Sequence, residues 1–149
     1  MLAIDVVKAR GHENVKALHR TTLEITRDEY LTPRGECIVG ISANKAATHL
    51  SEELRDILRR RFSVLIMVLE VEGDKDLVVA QGSPRLTFTD ERRMVIRKSG
   101  YIAGDTIGVY ANKAARDVSR SIVNKLRQGK ELTVYLIAID VDQLLRSTS

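Results

Sequence analysis

His12, Asn14 and His19, followed by Arg34, Glu36 and Cys37, hold most of the side-chain chemistry this sequence offers. An imidazole serves as metal ligand or general base, a thiolate ligates zinc, and a carboxylate moves protons. His12, His19 and Glu36 are therefore the candidate catalytic residues, and His12, His19 and Cys37 the candidate metal ligands. Their spacing carries no metal signature: there is no His-x-x-x-His, His-Glu-x-x-His or paired Cys-x-x-Cys. His19 lies between Ala17 and Thr21 on the apolar side of an alternating stretch, so a core histidine with internal partners explains it as well as a ligand does. Cys37 opens an apolar run and suits a small core residue. Glu24, Asp28 and Glu36 offer a carboxylate pair, but Glu24 is expected on the solvated side of its strand.

A second group suits anions. Lys45 and Lys113 each follow an asparagine at the expected start of a helix, where the dipole is positive and a lysine costs roughly 0.3–1 kcal/mol. Open amides there, with a lysine beside them, can hold a phosphate, and Gly40 or Gly108 would admit close approach. Snorkelling over apolar surface is the plainer reading, and no Walker loop is present. Arg97-Lys98-Ser99 joins two cations to a hydroxyl, as a phosphate grip does. Asn14, Arg34, Lys45, Arg97, Lys98, Ser99 and Lys113 are accordingly the candidate ligand-binding residues. With 4% aromatics and no tryptophan, contact with a nucleic-acid backbone is more credible than base readout. Arg59-Arg60-Arg61 ends the first expected helix, where cations complement the dipole.

The elements that must position these residues are written twice. Val39 to Ala47 returns 68 positions later as Ile107 to Ala115, with six of nine pairs identical. The same offset carries Leu50, Leu54 and Leu58 onto Val118, Ile122 and Leu126, and Val64, Ile66 and Val68 onto Leu132, Val134 and Leu136. Val15 to Thr26 alternates as one long strand, and Cys37 to Ala43 reads as another. Helices are expected from Asn44 to about Arg61 and from Asn112 to Arg127, each followed by an apolar strand. Glu72 to Asp76 is a turn dividing halves 1–73 and 74–142, and Gln143 to Ser149 reads as a loose tail. Halves of about 70 residues would each be marginal alone. The expectation is a single α+β domain over 1–149: mostly antiparallel, sandwich-like or curved β-structure with two helices and a pseudo-twofold internal repeat.

Composition sets the outer limits. With 44% hydrophobic and 30% charged residues the chain is globular rather than disordered. No apolar run reaches the roughly 18 residues of a membrane span, and no signal peptide opens it. One cysteine forms no internal disulfide, so a cytoplasmic setting is expected. A net charge of +4 tilts it toward anionic partners.

The blocks Gly11-His12-x-Asn14-Val15-x-Ala17-x-His19-x-Thr21-Thr22-Leu23-Glu24-Ile25-Thr26 and Leu31-Thr32-x-Arg34-Gly35-Glu36-Cys37-Ile38-x-Gly40 resemble those of a small, mainly archaeal family classed as a domain of unknown function. Arg97-Lys98-Ser99 and Ala111-Asn112-Lys113-Ala114-Ala115 are similar to its later blocks. The family pattern carries aspartate at Glu36 and often at Asn112, so polarity is kept and one charge is lost. The resemblance implies a cytoplasmic, mostly β protein, brings no cofactor or catalytic assignment, and directs attention to His12, Asn14, His19, Arg34, Glu36 and Arg97. Three readings stay open: a binder of RNA or another phosphate-bearing ligand, a small metal-assisted hydrolase using His12, His19 and Glu36, and an assembly module forming a homodimer.

Overall fold

The computed structural model describes residues 1–148. Its strands are Leu2–Arg10 (β1), Thr22–Thr26 (β2), Ile38–Gly40 (β3), Ser63–Val71 (β4), Asp74–Gln81 (β5), Arg93–Arg97 (β6), Thr106–Gly108 (β7) and Glu131–Asp140 (β8). Its helices are Glu52–Leu58 (α1), Arg120–Arg127 (α2) and Val141–Arg146 (α3). One antiparallel sheet runs β1-β8-β4-β5; the other runs β3-β2-β6-β7, with β2 and β6 antiparallel and β3 and β7 parallel to their neighbours. Single bridges, Arg10 to Ile41 and Gln81 to Val109, join the sheets at both edges. The fold is thus α+β with curved, sandwich-like β-structure, as expected.

Burial explains the strands. In β4, Ser63, Leu65, Met67, Leu69 and Val71 are buried while Val64, Ile66, Val68 and Glu70 are half-exposed, the period of two that makes a one-faced strand. Leu23, Ile25, Met94 and Ile96 of the second sheet join Leu65, Met67, Val134 and Leu136 of the first in one core. Leu54 and Leu58 of α1 and Ile122 and Leu126 of α2 complete it, each such side chain contributing ~2 kcal/mol by leaving water.

Elements follow one another as three strands, a 3-10 turn, an α-helix and a strand, and then do so again. Side chains follow suit. Asp5 of β1 pairs with Lys45 at 2.5 Å and accepts the Ser51 amide at 2.9 Å; Asp76 of β5 pairs with Lys113 at 2.5 Å and accepts the Ser119 amide at 2.8 Å. Asn44 Oδ1 accepts the Lys8 amide, and Asn112 Oδ1 accepts the Val79 amide. Burial pushes the Asp5 and Asp76 carboxyls upward, but the lysines and backbone amides outweigh it and hold both below the usual aspartate value. These locks pin the start of each helix to the edge strand of the first sheet.

Several expectations need correction. Asn44 and Asn112 cap no helix; their side chains extend the β1 and β5 ladders, and α1 is capped instead by Ser51 Oγ accepting the Leu54 amide. Ala47–His49 and Ala115–Asp117 are 3-10 turns separate from the helices. The alternation of Val15 to Thr26 matches burial only as far as His19 and matches no strand there: only Thr22–Thr26 is a strand, and the Leu18 and His19 amides both go to the Glu36 carbonyl. Glu24 is buried, not solvated. The counterpart of Leu132 is Leu65 rather than Val64, because the connection from α1 to β4 is one residue longer than that from α2 to β8; a one-residue slip exchanges the two faces of a strand. The tail is helical over Val141–Arg146, where Asp140 accepts the Gln143 amide, which gives a third helix. Ser149, its last residue, lies outside the described residues.

Candidate functional site

Most residues singled out by type are already engaged inside the molecule. His12 Nδ1 accepts the Asn14 amide at 3.0 Å, and His19 Nδ1 accepts the Thr22 amide at 3.1 Å. The third histidine, His49, does the same for Ala46 at 3.0 Å. For His12 and His19, accepting at Nδ1 leaves the proton of a neutral ring on Nε2, so the outward nitrogen is a donor with no lone pair to offer a metal or a substrate proton; His49 Nε2 instead faces the Arg27 guanidinium. These rings cap turns. Cys37 Sγ lies 3.7 Å from Glu24 Oε1, and burial together with the Glu24 charge pushes its thiol up to about 11, far from a thiolate at neutral pH. Burial also raises the Glu24 carboxyl.

Among the described residues no three His, Cys, Asp or Glu side chains converge as a metal requires. The set His12, His19 and Cys37 therefore does not fit a zinc site, and His12 lines a cleft that neither His19 nor the exposed Glu36 lines.

The cations are similarly occupied. Lys45 and Lys113 hold Asp5 and Asp76, and neither stands at a helix N-terminus. Arg97 binds Asp105 and the Thr106 hydroxyl, both at 2.9 Å, and lies 5.0 Å from the Tyr101 ring centre. Lys98 pairs with Asp117 at 2.8 Å, Ser99 Oγ accepts the Tyr101 amide, and Asn14 donates to the Leu31 carbonyl. Gly40 and Gly108 press against Leu132 and Leu65 in the core. Of the expected ligand-binding residues, Arg34 alone has an exposed side chain without a partner among the described residues.

What the structure gathers instead are two clefts in corresponding places. Each lies where the turn after an edge strand, the loop closing a helix, and the residue after a short parallel strand meet. In both, a glycine passes so close to a helix-end carbonyl that any Cβ would collide with it: Gly82 at Leu58, Gly11 at Leu126. The first cleft has a volume of about 540 Å³ and is lined by Phe62, Pro84, Ile102, Val109 and Tyr110, with Arg61 and Arg85 also on its wall. The second, about 830 Å³, carries Arg10, His12, Glu13, Glu29, Ser42 and Arg127.

Their chemistry is opposite. Tyr110 (φ +51°) stands where the second cleft has Ser42 (φ +53°), and Phe62 (φ +51°) where it has Gly129 (φ +79°). Phe62 and Tyr110 are 76% and 61% exposed, so their rings are presented to solvent. Neither Arg61 nor Arg85 has a side-chain partner among the described residues. The cleft thus sets an apolar floor and two open rings beside two unpaired guanidinium groups.

None of these four residues was singled out by motif. One signal was present: among the nine aligned pairs, Ser42 against Tyr110 is the only change of chemical type. Phe62 carried no such mark, because the extra residue before β4 disguises its match to Gly129.

Residues 7–139 match the family described as a domain of unknown function, DUF371. The chain is also similar to the uncharacterized protein MJ0206 of Methanocaldococcus jannaschii, 48% identical over 132 residues that cover 89% of this chain and 97% of that protein.

Proposed function

The chain belongs to the DUF371 family, and we propose that it binds a nucleotide, free or as an exposed end of RNA, in the cleft between Phe62 and Tyr110. The two rings stack on the base, while Arg61 and Arg85 meet the phosphate. The two halves are, on this reading, copies of one unit of which only one kept or gained the ring pair.

The observation that carries it is Phe62. A bulky residue in the left-handed region costs roughly 1–2 kcal/mol, and burial normally compensates. Here the ring stays 76% exposed, and the corresponding position on the other side of the molecule is glycine. Strain without burial calls for a partner outside the chain. Tyr110 supports the same reading from the opposite lip: the end of its ring lies close over Gly100, yet the residue stays 61% exposed.

Titration with adenosine monophosphate and a short single-stranded RNA, followed by calorimetry, tests this. Phe62→Gly is expected to weaken binding about tenfold, from the loss of one stacking surface. Equal affinity in the two proteins, or no binding by the native chain, would overturn it.

A further inference from the structure

We infer that the outer face of the β1-β8-β4-β5 sheet docks a second copy of this chain. The register places Ile4, Ile137, Ile66 and Val79 in one row across all four strands. The adjacent row is Val6, Tyr135, Val68 and Leu77, and the row on the other side opens with Leu2, Ile139 and Val64. Leu2, Ile4 and Leu77 on the edge strands are 51%, 57% and 47% exposed. The inner-strand members of these rows are only half-buried, shielded by their neighbours but covered by no layer. A helix laid over them would bury them as fully as the opposite face is buried.

The molecule supplies its own control. The pseudo-twofold relation that exchanges β1 with β5 and β4 with β8 sets the isoleucine row against the row Lys8, Thr133, Glu70 and Lys75. Asp5 with Asp76 fixes the first exchange, and Leu65 with Leu132 the second. Ile4 therefore stands where Lys75 does, and Ile66 where Thr133 does. The fold accepts charged and polar residues at these positions, so the apolar row answers to something other than folding.

Size and charge favour a copy of the same face. Three rows on four strands cover roughly 400 Å² in plan, from strand spacings of ~4.8 Å and ~6.8 Å between rows. Leu144 and Leu145 on α3, which contacts β4 and β8, are exposed as well, and a stable dimer takes ~800 Å² from each partner. A sheet face of aliphatic side chains packs on another at ~10 Å. The chain as a whole carries +4, which would repel a copy, but this face is neutral at its margin: Lys8 pairs with Glu131 and Lys75 with Glu70. An acidic or basic partner would find no complementary field there. The inference is independent of the nucleotide reading.

Light scattering on a sizing column at ~100 µM, a concentration at which a micromolar dimer is mostly assembled, tests it. The native protein is expected to have twice the monomer mass of 16.7 kDa. Ile4→Lys with Ile66→Thr, which installs the residues already accepted at the corresponding positions, is expected to run as a monomer with an unchanged circular dichroism spectrum. Leu77→Lys provides a second route should the double variant misfold. A monomeric native protein, or a dimer that survives in folded Ile4→Lys/Ile66→Thr or Leu77→Lys, overturns the inference.

Discussion

The two clefts share a backbone and differ in what stands on it. Gly11 and Gly82 make the same close approach, and Ser42 and Tyr110 the same left-handed turn, yet one cleft exposes rings and the other serine, glycine and carboxylates. The difference separates residues that build the scaffold from residues that use it. Asp5, Asn44 and Lys45 have matching partners in Asp76, Asn112 and Lys113 and therefore belong to the scaffold. Phe62 and Tyr110 have none.

The strongest way to break this comparison is through the locks. Asp5→Ala and Asp76→Ala should each cost about 2–3 kcal/mol in urea unfolding, because each strands a lysine and a helix-start amide. The half-exposed lysines keep the figure below that of a fully buried pair. Markedly unequal losses would mean the two locks are not equivalent.

Both carboxyls are held below their unfolded value, so their contribution is complete above the unfolded pKa near 4 and is lost as pH falls through the lower folded value. Thermal melts between pH 6 and pH 2 should show a steep decline below pH 4, and the Asp5→Asn/Asp76→Asn protein a shallower one.

A smaller effect sharpens the contrast between Phe62 and Gly129. Phe62→Gly should stabilise the fold by about 1 kcal/mol while weakening nucleotide binding, whereas Gly129→Phe should destabilise it by about 1–2 kcal/mol. Chemical denaturation of the two variants reads the opposite signs directly. Stability lost in both would show that Phe62 is packed rather than presented.

The smallest expected effect lies in salt dependence. Arg61→Ala and Arg85→Ala should each flatten the plot of log affinity against log salt by about one unit of slope for an RNA ligand. Arg127→Ala, on the wall of the second cleft, should leave it unchanged.

The sequence showed the recurring order of its elements because Gly40, Ala43, Asn44, Lys45, Ala46 and Ala47 return as Gly108, Ala111, Asn112, Lys113, Ala114 and Ala115 with apolar residues following at matching spacing, and the α+β class followed. It did not show the register of β4, since Val64, Ile66 and Val68 are as apolar as the buried Leu65, Met67 and Leu69, and hydrophobicity alone does not separate the two faces. The expected apolar strand after the first helix has one core face and one open face. Lys45 and Lys113 looked misplaced because their partners lie on distant strands, 40 and 37 residues earlier. Histidines 12 and 19 carried the right atoms for catalysis, and only geometry revealed that turn amides consume their Nδ1 lone pairs.

The place of β8 in its sheet has a consequence for biosynthesis. β8 lies between β1 and β4, so Arg10, near the beginning, pairs with Glu131, near the end. At typical elongation rates the ribosome needs on the order of ten seconds to deliver that stretch. Until it does, β1 and the inner edge of β4 wait with their backbone groups unpaired, and core-facing Val7, Leu65 and Met67 lack Val134 and Leu136 of β8. The nascent chain is therefore most vulnerable to aggregation and most suited to chaperone capture before β8 emerges, and sheet closure is a late, millisecond-to-second event set by topology rather than by local propensity.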